Sequence, residues 1–183
     1  MRIETADLAD ILVLIPLPFH DDRGLFTRTF DADIFDDYLG RTGTPASFVQ
    51  YSQSRSVRGV SRAMHGRSGR GEAKLVRCAN VVDDVLVDIR RESPTFGRQQ
   101  AFPLDDNDFR HLYVPPGFLH RFQAITATAD VCYRIDRAHD PSEDLGVGYN
   151  DPHFAIHWPL PVSMVSFRHA NAGSWAELVT HLS

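Results

Sequence analysis

Several polar residues stand in apolar, strand-like stretches where a buried strand would not favour them. They are Arg62 and His65 around an apolar pair, Lys74 at the start of an apolar run, and His120 and Tyr133 within two others. Imidazole and phenol groups move protons, and cationic groups stabilise negative charge that develops during a reaction. Taken singly, each is more often a surface residue or a satisfied core group; together they indicate a site.

The elements that would position these residues are mostly strands. Short runs rich in Val, Ile, Leu and Phe recur between clusters of Gly, Pro, Asp or Asn. Strands are predicted at 11–15, 25–30, 48–52, 59–65, 73–78, 85–89, 112–114, 118–124, 131–135 and 154–158. Because side chains on one strand face recur every second residue, inward polar groups from several strands can converge in one place.

Many short strands with two helices, predicted at 31–39 and 174–182, favour an all-β sandwich or barrel. A jelly-roll barrel of the cupin type, with short flanking helices, hides its sheet edges and leaves a ligand cavity in the barrel mouth. The chain of 183 residues has room for one well-buried core. We therefore expect a single domain over residues 1–183.

Composition excludes several classes of protein. Hydrophobic residues make up 43% of the chain, yet none of its apolar runs approaches the roughly 18–20 residues of a membrane span. Acidic Glu4, Asp7 and Asp10 do not suit a secretory signal, so a cytoplasmic protein is expected. A net charge of −5 argues against nucleic-acid binding, although local arginines can still bind a small anion. Cys78 and Cys132 are expected to be buried thiols.

A set of short strings gives the chain a resemblance to the dTDP-4-dehydrorhamnose 3,5-epimerase family over roughly its whole length. Each string alone is weak, whereas their order and spacing together are specific. They are DRGLF at 22–26, FVQ at 48–50, GVSRAMH at 59–65, AKLVRC at 73–78, VDIR at 87–90, SPTFG at 93–97, PGFLH at 116–120, Tyr133, DP at 151–152 and WP at 158–159.

The resemblance implies an isomerase that acts on a dTDP-4-keto-6-deoxy sugar. The ketone at C4 acidifies the hydrogens on C3 and C5, so a base can remove one and a proton can return to the opposite face. His65 resembles the base, with an imidazole expected to be close to half-charged near neutral pH. Lys74 resembles the group that stabilises the enolate oxygen, and Tyr133 the acid across the sugar ring.

The resemblance also assigns substrate-binding residues and a partner. Arg62 resembles the clamp for the diphosphate, a role that suits the planar guanidinium. Gln50 and His120 resemble residues that bind the substrate. Arg23 and Phe26 resemble residues that reach the nucleotide from a partner subunit, which implies a homodimer with exchanged strands.

Neither a metal nor another cofactor is expected. A metal-binding cupin usually carries a His-x-His pair followed by a Glu, whereas His65 is followed by Gly66 and Arg67. His111 and His120 belong to other predicted strands, and histidines on separate strands need no metal to explain them.

The chain departs from the family pattern at four positions that border the expected pocket. The family supports its base with an aspartate where this chain has His169, which is therefore a candidate catalytic residue. Arg28 replaces a glutamate, Ser52 an asparagine and His139 a second tyrosine. Loss of a carboxylate beside a catalytic histidine is costly, since the corresponding change in serine proteases lowers the rate about 10⁴-fold.

Three interpretations remain open. The first is an epimerase with a narrowed role, acting at one carbon or on an unusual 4-keto sugar in natural-product assembly. The second is a binding protein that kept the nucleotide-sugar pocket but lost catalytic turnover. His65, Lys74 and Tyr133 argue against it, because binding alone needs none of them. The third is a cupin repurposed for another proton-transfer or cyclisation reaction. Arg62, Arg23 and Phe26 argue against it, because they resemble residues that bind dTDP.

Overall fold

Short antiparallel strands dominate the fold, because apolar residues recur at the two-residue spacing that buries one strand face. The computed structural model describes residues 1–40 and 47–182. Its strands are β1 (Arg2–Thr5), β2 (Leu12–Ile15), β3 (Phe19–Asp21), β4 (Gly24–Phe26), β5 (Gln50–Val57), β6 (Ser61–Arg67), β7 (Lys74–Ala79), β8 (Val82–Asp88), β9 (Gln99–Leu104), β10 (His111–Val114), β11 (Phe118–Ala124), β12 (Thr128–Ile135) and β13 (Asp144–Gly146). Its helices are α1 (Ala32–Tyr38), α2 (Phe167–Ala170) and α3 (Trp175–His181), and a 3-10 turn covers Pro141–Glu143.

Two antiparallel sheets enclose the core. One has the order β1-β2-β10-β7-β12-β5 and the other β13-β6-β11-β8-β9, while β3 and β4 form a separate hairpin. Val76 and Val131 of the first sheet pack in the same buried cluster as Leu86 and Phe122 of the second. The predicted all-β jelly-roll fold with short flanking helices is confirmed.

Helix α1 covers the outer face of the six-stranded sheet. The Asp31 carboxylate caps the helix by accepting a hydrogen bond from the amide of Ile34 at 3.3 Å. Phe35 is buried and its ring centroid lies 4.9 Å from that of Tyr113. This apolar side of the helix confirms the prediction of a helix at 31–39.

Helix α3 packs against the five-stranded sheet. Trp175 and Leu178 join a buried cluster with Leu119 of β11. The helix begins with a capping box, in which Ser174 and Glu177 exchange hydrogen bonds between side chain and backbone. The helix predicted at 174–182 is thus confirmed. Across residues 1–40 and 47–182, no helix is both long and apolar enough to cross a membrane.

The predicted strand at 154–158 is wrong, because its apolar residues pack against a sheet without pairing into it. Phe154 lies against Trp175, with ring centroids 5.0 Å apart. Trp158 lies 4.0 Å below the guanidinium of Arg121, which is only 2% exposed. This cation–π contact holds the segment against β11. The two packing contacts account for Phe154 and Trp158, whose aromatic side chains gave the segment the composition of a strand.

Other differences lie at the ends of strands and in the shortest elements. The strand predicted at 25–30 is Gly24–Phe26, and the strand predicted at 48–52 is Gln50–Val57. β1, β13 and α2 have at most four residues, too few for a periodic signal. β9 contains Pro103, which argues against a strand in sequence but is tolerated because β9 lies at a sheet edge.

The two cysteines differ in their surroundings. Cys78 belongs to the core between the sheets, and burial raises the pKa of its thiol to about 12. Cys132 is only half-buried. The expectation of two buried thiols is therefore confirmed for Cys78 and wrong for Cys132.

Candidate active site

A cavity of about 330 Å³ lies between the sheets where polar side chains replace the core. On β7 the inward residue Lys74 is followed by the core residue Val76, and on β12 Tyr133 follows the core residue Val131. The same strands therefore build both the core and the polar cavity. The residues lining the cavity are Ser54, Arg62, His65, Arg67, Glu72, Lys74, Tyr133, Ile135, His139, Asp144, Arg168 and His169.

A bulge in β6 brings Arg62 and His65 to the same cavity. Regular alternation would point residues three positions apart to opposite faces. In the pairing with β11, however, His65 lies opposite His120 and Arg62 opposite Phe122, so β6 contains one extra residue. Met64, within this bulge, has a φ of 27°. Bulges commonly re-aim side chains beside functional sites, and this one lets both residues face the cavity.

Lys74 and Tyr133 face the cavity from the other sheet. In the ladder between β7 and β12, Lys74 pairs with Ile135 and Val76 pairs with Tyr133. Paired residues point to the same side of a sheet, which places these side chains on the inner face. His65 on the five-stranded sheet and Tyr133 on the six-stranded sheet therefore line opposite walls of one cavity.

His65 is held as a neutral imidazole. Burial lowers its pKa well below the ordinary value, and the neighbouring basic groups Lys74, His120, His169 and Arg67 lower it further. Its Nδ1 atom is buried and has no hydrogen-bond partner among the residues that the structure describes. The expected half-charged state near neutral pH is therefore wrong, and the ring is ready to accept a proton.

His120 lies behind the cavity wall, beside both His65 and Tyr133. Its ring centroid is 5.6 Å from that of His65 and 6.0 Å from that of Tyr133. Its Nε2 lies 2.7 Å from Oδ2 of Asp84, and both residues are buried. The carboxylate fixes the orientation of the imidazole, so His120 forms a rigid support between His65 and Tyr133.

A chain of ion pairs runs along the cavity floor. Nζ of Lys74 lies 2.9 Å from Oε1 of Glu72, and Nε of Arg67 lies 3.2 Å from Oε2. Arg67 also pairs with Asp144, which in turn pairs with Arg168. Although burial opposes ionisation, Lys74 and Arg67 hold the pKa of Glu72 below its usual value. The buried ammonium of Lys74 is thus kept in place by a charged partner.

His169 lies on α2 beside His65. Ser166 caps this helix and accepts a hydrogen bond from the amide of His169 at 3.3 Å. The rings of His169 and His65 are nearly parallel, with 5.8 Å between centroids and 17° between planes. Partial burial lowers the pKa of His169, and the cations Arg168 and Arg62 lower it further. The two imidazoles thus form a stacked pair at the cavity wall.

Three of the predicted binding residues lie away from this cavity within the chain. Arg23 and Phe26 stand on the exposed β3–β4 hairpin, where Phe26 is 72% exposed. Arg23 pairs with Asp21, with 2.6 Å between nitrogen and oxygen. Arg28 is also exposed and pairs with Asp31 at 2.7 Å.

Of the remaining predicted residues, His139 lines this cavity, whereas Ser52 and Gln50 are not among its lining residues. His139 lines the cavity and contacts Arg67. Ser52 lies opposite Tyr133 in the pairing of β5 with β12, and it lines a second cavity of about 370 Å³. Gln50 begins β5 opposite Ile135.

Four charged lining residues were missed by sequence reasoning. Arg67 follows His65 by two positions on β6, so strand alternation could have found it. Glu72 precedes β7, Asp144 begins a three-residue strand and Arg168 lies on a four-residue helix. These segments have no periodic pattern, and only the fold brings their charges together.

In the described ranges 1–40 and 47–182, no group of three or more His, Cys, Asp or Glu side chains is arranged to hold a metal ion. His65, His111 and His120 lie on β6, β10 and β11. His111 belongs to the other sheet, and its Nδ1 lies 3.0 Å from the backbone oxygen of Phe109.

Comparison with known proteins agrees with the motifs in the sequence. The family model described as dTDP-4-dehydrorhamnose 3,5-epimerase matches residues 5–177. The chain belongs to this family. The resemblance carried by the sequence strings is therefore confirmed, and the protein is a member of a group of isomerases that act on dTDP-4-keto-6-deoxy sugars.

Individual members of the dTDP-4-dehydrorhamnose 3,5-epimerase family resemble the chain over most of its length. The dTDP-4-dehydrorhamnose 3,5-epimerase of Escherichia coli (strain K12) is 37% identical and covers 90% of this chain and 89% of its own. The dTDP-4-dehydrorhamnose 3-epimerase of Streptomyces niveus is 36% identical, covering 97% and 85%. The solved 4-keto-6-deoxy sugar epimerase from the novobiocin gene cluster of Streptomyces spheroides superposes with a TM-score of 0.93, at 35% identity over 99% and 90%.

Proposed function

We propose that this chain epimerises C3, C5 or both carbons of a dTDP-4-keto-6-deoxy sugar in deoxysugar or natural-product biosynthesis. One observation carries the proposal: His65 and Tyr133 line one cavity from opposite sheets. Inversion at carbon requires a base on one face of the sugar and an acid on the other. A pure binding pocket has no need of this pair.

The proposed reaction begins at His65. The imidazole removes the proton from the carbon beside the C4 ketone, and the electron pair of the broken C–H bond moves onto the C4 oxygen. Tyr133 then breaks its O–H bond to protonate the same carbon from the opposite face, and the carbonyl re-forms. Burial raises the pKa of Tyr133, which keeps the phenol protonated until the enolate needs a proton. His65 then releases its proton to water and the Tyr133 phenolate takes up another, so both groups are restored and the sum is an isomerisation without oxidation or reduction.

Lys74 is proposed to stabilise the enolate oxygen. Its ammonium is buried and held by Glu72 at 2.9 Å, so it is positioned before negative charge develops. A fixed cation in a partly dry site stabilises a developing oxyanion more than it stabilises a neutral ketone. This difference is what lowers the barrier.

The charges of the cavity suit a nucleotide diphosphate. Among the described lining residues, four are arginine or lysine (Arg62, Arg67, Lys74 and Arg168) and two are acidic (Glu72 and Asp144). The guanidinium of Arg62 is held at the rim by hydrogen bonds to Ser56 Oγ at 3.0 Å and to the Arg55 carbonyl at 3.3 Å. We therefore assign the diphosphate to the Arg62 side of the cavity.

The chain is further proposed to act as a homodimer that exchanges the β3–β4 hairpin. Phe19 and Phe26 on this hairpin are 65% and 72% exposed, and Tyr51 and Val57 on the edge strand β5 are 70% and 58% exposed. Pairing two copies would bury these side chains and bring Arg23 and Phe26 of one protomer to the partner's nucleotide. Sedimentation velocity should give twice the chain mass of 20.6 kDa, and a monomer at micromolar concentration would refute the exchange.

Solvent exchange tests the proposed activity most directly. The protein is incubated in D₂O with dTDP-4-keto-6-deoxyglucose, and deuterium is located by NMR. We expect label at C3, C5 or both, because deprotonation is visible even when the epimer does not accumulate. In Tyr133→Phe we expect exchange to continue while inversion is lost, since the base remains and the opposite acid is absent.

Other results separate the alternatives. Binding of dTDP without any label would identify a binding protein or another sugar, and absence of both would identify a repurposed barrel. Loss of exchange in Tyr133→Phe, with the fold and dTDP binding intact, would contradict the division of roles between base and acid.

A further inference from the structure

We infer that His169 is a proton relay, which passes the proton taken up by His65 on to solvent. The catalytic role of His169 rests on the proposed function, whereas proton transfer between His65 and His169 can occur without a substrate. His169 would not touch the reacting carbon in this role. It acts through His65 and restores the base between turnovers.

The need for a relay follows from the position of His65. Its Nδ1 atom is buried without a partner among the described residues, and the ring reaches solvent through the cavity that the substrate would fill. After it has taken a proton, a base in this position has to return it to solvent before the next turnover. His169 stacks on this ring at the wall of the same cavity and is only half-buried.

The geometry also excludes a simpler role for His169. A residue that orients a catalytic imidazole bonds to its ring nitrogen in the ring plane. The rings of His65 and His169 instead lie nearly parallel, at 17° with 5.8 Å between centroids, and no direct hydrogen bond joins these two described residues, since Nδ1 of His65 has no partner. A water molecule between the two rings completes the path, since water can bridge polar groups that form no direct hydrogen bond.

The surrounding charges favour movement of the proton outward. The titratable groups around the pair include Tyr133 and His139 in the cavity lining and His120 behind it. The cations are Arg62, Arg67, Lys74 and Arg168, and Glu72 and Asp144 neutralise part of their charge. Burial, followed by the neighbouring basic groups, lowers the pKa of His65 well below its ordinary value, and burial with Arg168 and Arg62 lowers that of His169. A protonated His65 therefore gives up its proton readily, and His169 is the imidazole that lies beside it at the cavity wall. There one N–H bond forms, and the other ring nitrogen releases its proton to water.

Chemical rescue tests the relay in the catalytic reaction. His169→Ala should lower kcat about 10²-fold at low buffer concentration, with KM nearly unchanged. Added imidazole should restore most of this loss in proportion to its concentration, because a small base then occupies the path. His181→Ala is the matched control, since His181 is exposed on α3 outside this cavity, and it should respond to imidazole as the unaltered protein does.

A second measurement needs no substrate and keeps the two proposals separate. In histidine-labelled protein, the ring N–H of His65 should exchange with water more slowly in His169→Ala than in the unaltered chain. If exchange is slower while the unaltered protein turns over no sugar, the relay stands and the proposed substrate fails. Unchanged exchange, or a loss of kcat that imidazole does not restore, would overturn the relay.

Discussion

His65→Gln is expected to lower kcat by about 10²- to 10⁴-fold and to remove solvent exchange at C3 and C5. Glutamine fills similar space but cannot accept a proton near neutral pH. The cavity proposed to bind the nucleotide keeps its cations in this variant, so dTDP affinity should change little. The measurement is deuterium incorporation alongside kcat and KM, with His181→Gln as a matched control on a surface helix.

The pH dependence of the unaltered protein checks the same assignment. Burial first, and then the nearby cations, lower the pKa of His65 well below the usual 6.5. A base works in its neutral form, so activity is retained as pH falls through 6.5 and is lost only when His65 becomes protonated. The acid limb of kcat/KM should therefore lie well below pH 6.5. Exchange that survives in His65→Gln would assign the base elsewhere.

Lys74→Met is expected to lower kcat about 10²- to 10³-fold, because the enolate oxygen loses its fixed cation. Methionine preserves the unbranched shape, and Glu72 keeps its second partner Arg67 at 3.2 Å. The fold should therefore survive, which a thermal melt verifies. The decisive measurement is kcat. The uncharged ketone of the bound substrate is stabilised little by the ammonium, so KM should change much less than kcat.

Lys74→Arg serves as the matched variant for the enolate assignment. It keeps the positive charge next to Glu72 but moves it from the position of Nζ. Activity between that of Lys74→Met and that of the unaltered chain would show that charge and position both contribute. A kcat of Lys74→Met within about threefold of normal, in a folded protein, would exclude Lys74 as the main enolate-stabilising group.

Much of the fold was predictable because strand signals are local. The strand predicted at 118–124 coincides with β11, and the early helix was found from its acidic start and apolar side. The prediction failed at 154–158, where aromatic residues pack against a sheet without forming a strand. The ring of Trp158 packs under Arg121 at 4.0 Å, and nothing near residue 158 in the sequence reveals this distant partner.

Part of the candidate site was also predictable. Within the described chain, Arg62, His65, Lys74, Tyr133, His139 and His169 all line one cavity, as the resemblance led us to expect. Arg23, Phe26 and Arg28 are exposed away from it. The proposed contact of Arg23 and Phe26 with a nucleotide depends on a second copy of the chain, which no local pattern can describe.

Residue types suited to proton transfer, the family and most of the strands can be read from the sequence alone, because they are recorded in composition, order and two-residue periodicity. That Arg62 and His65 share a face follows only from the folded chain, since a strand without the bulge at Met64 would separate them. The tertiary structure also decided the neutral state of His65 and the stacking of His169. Both depend on burial and on charges from distant strands, which act through space and not along the chain.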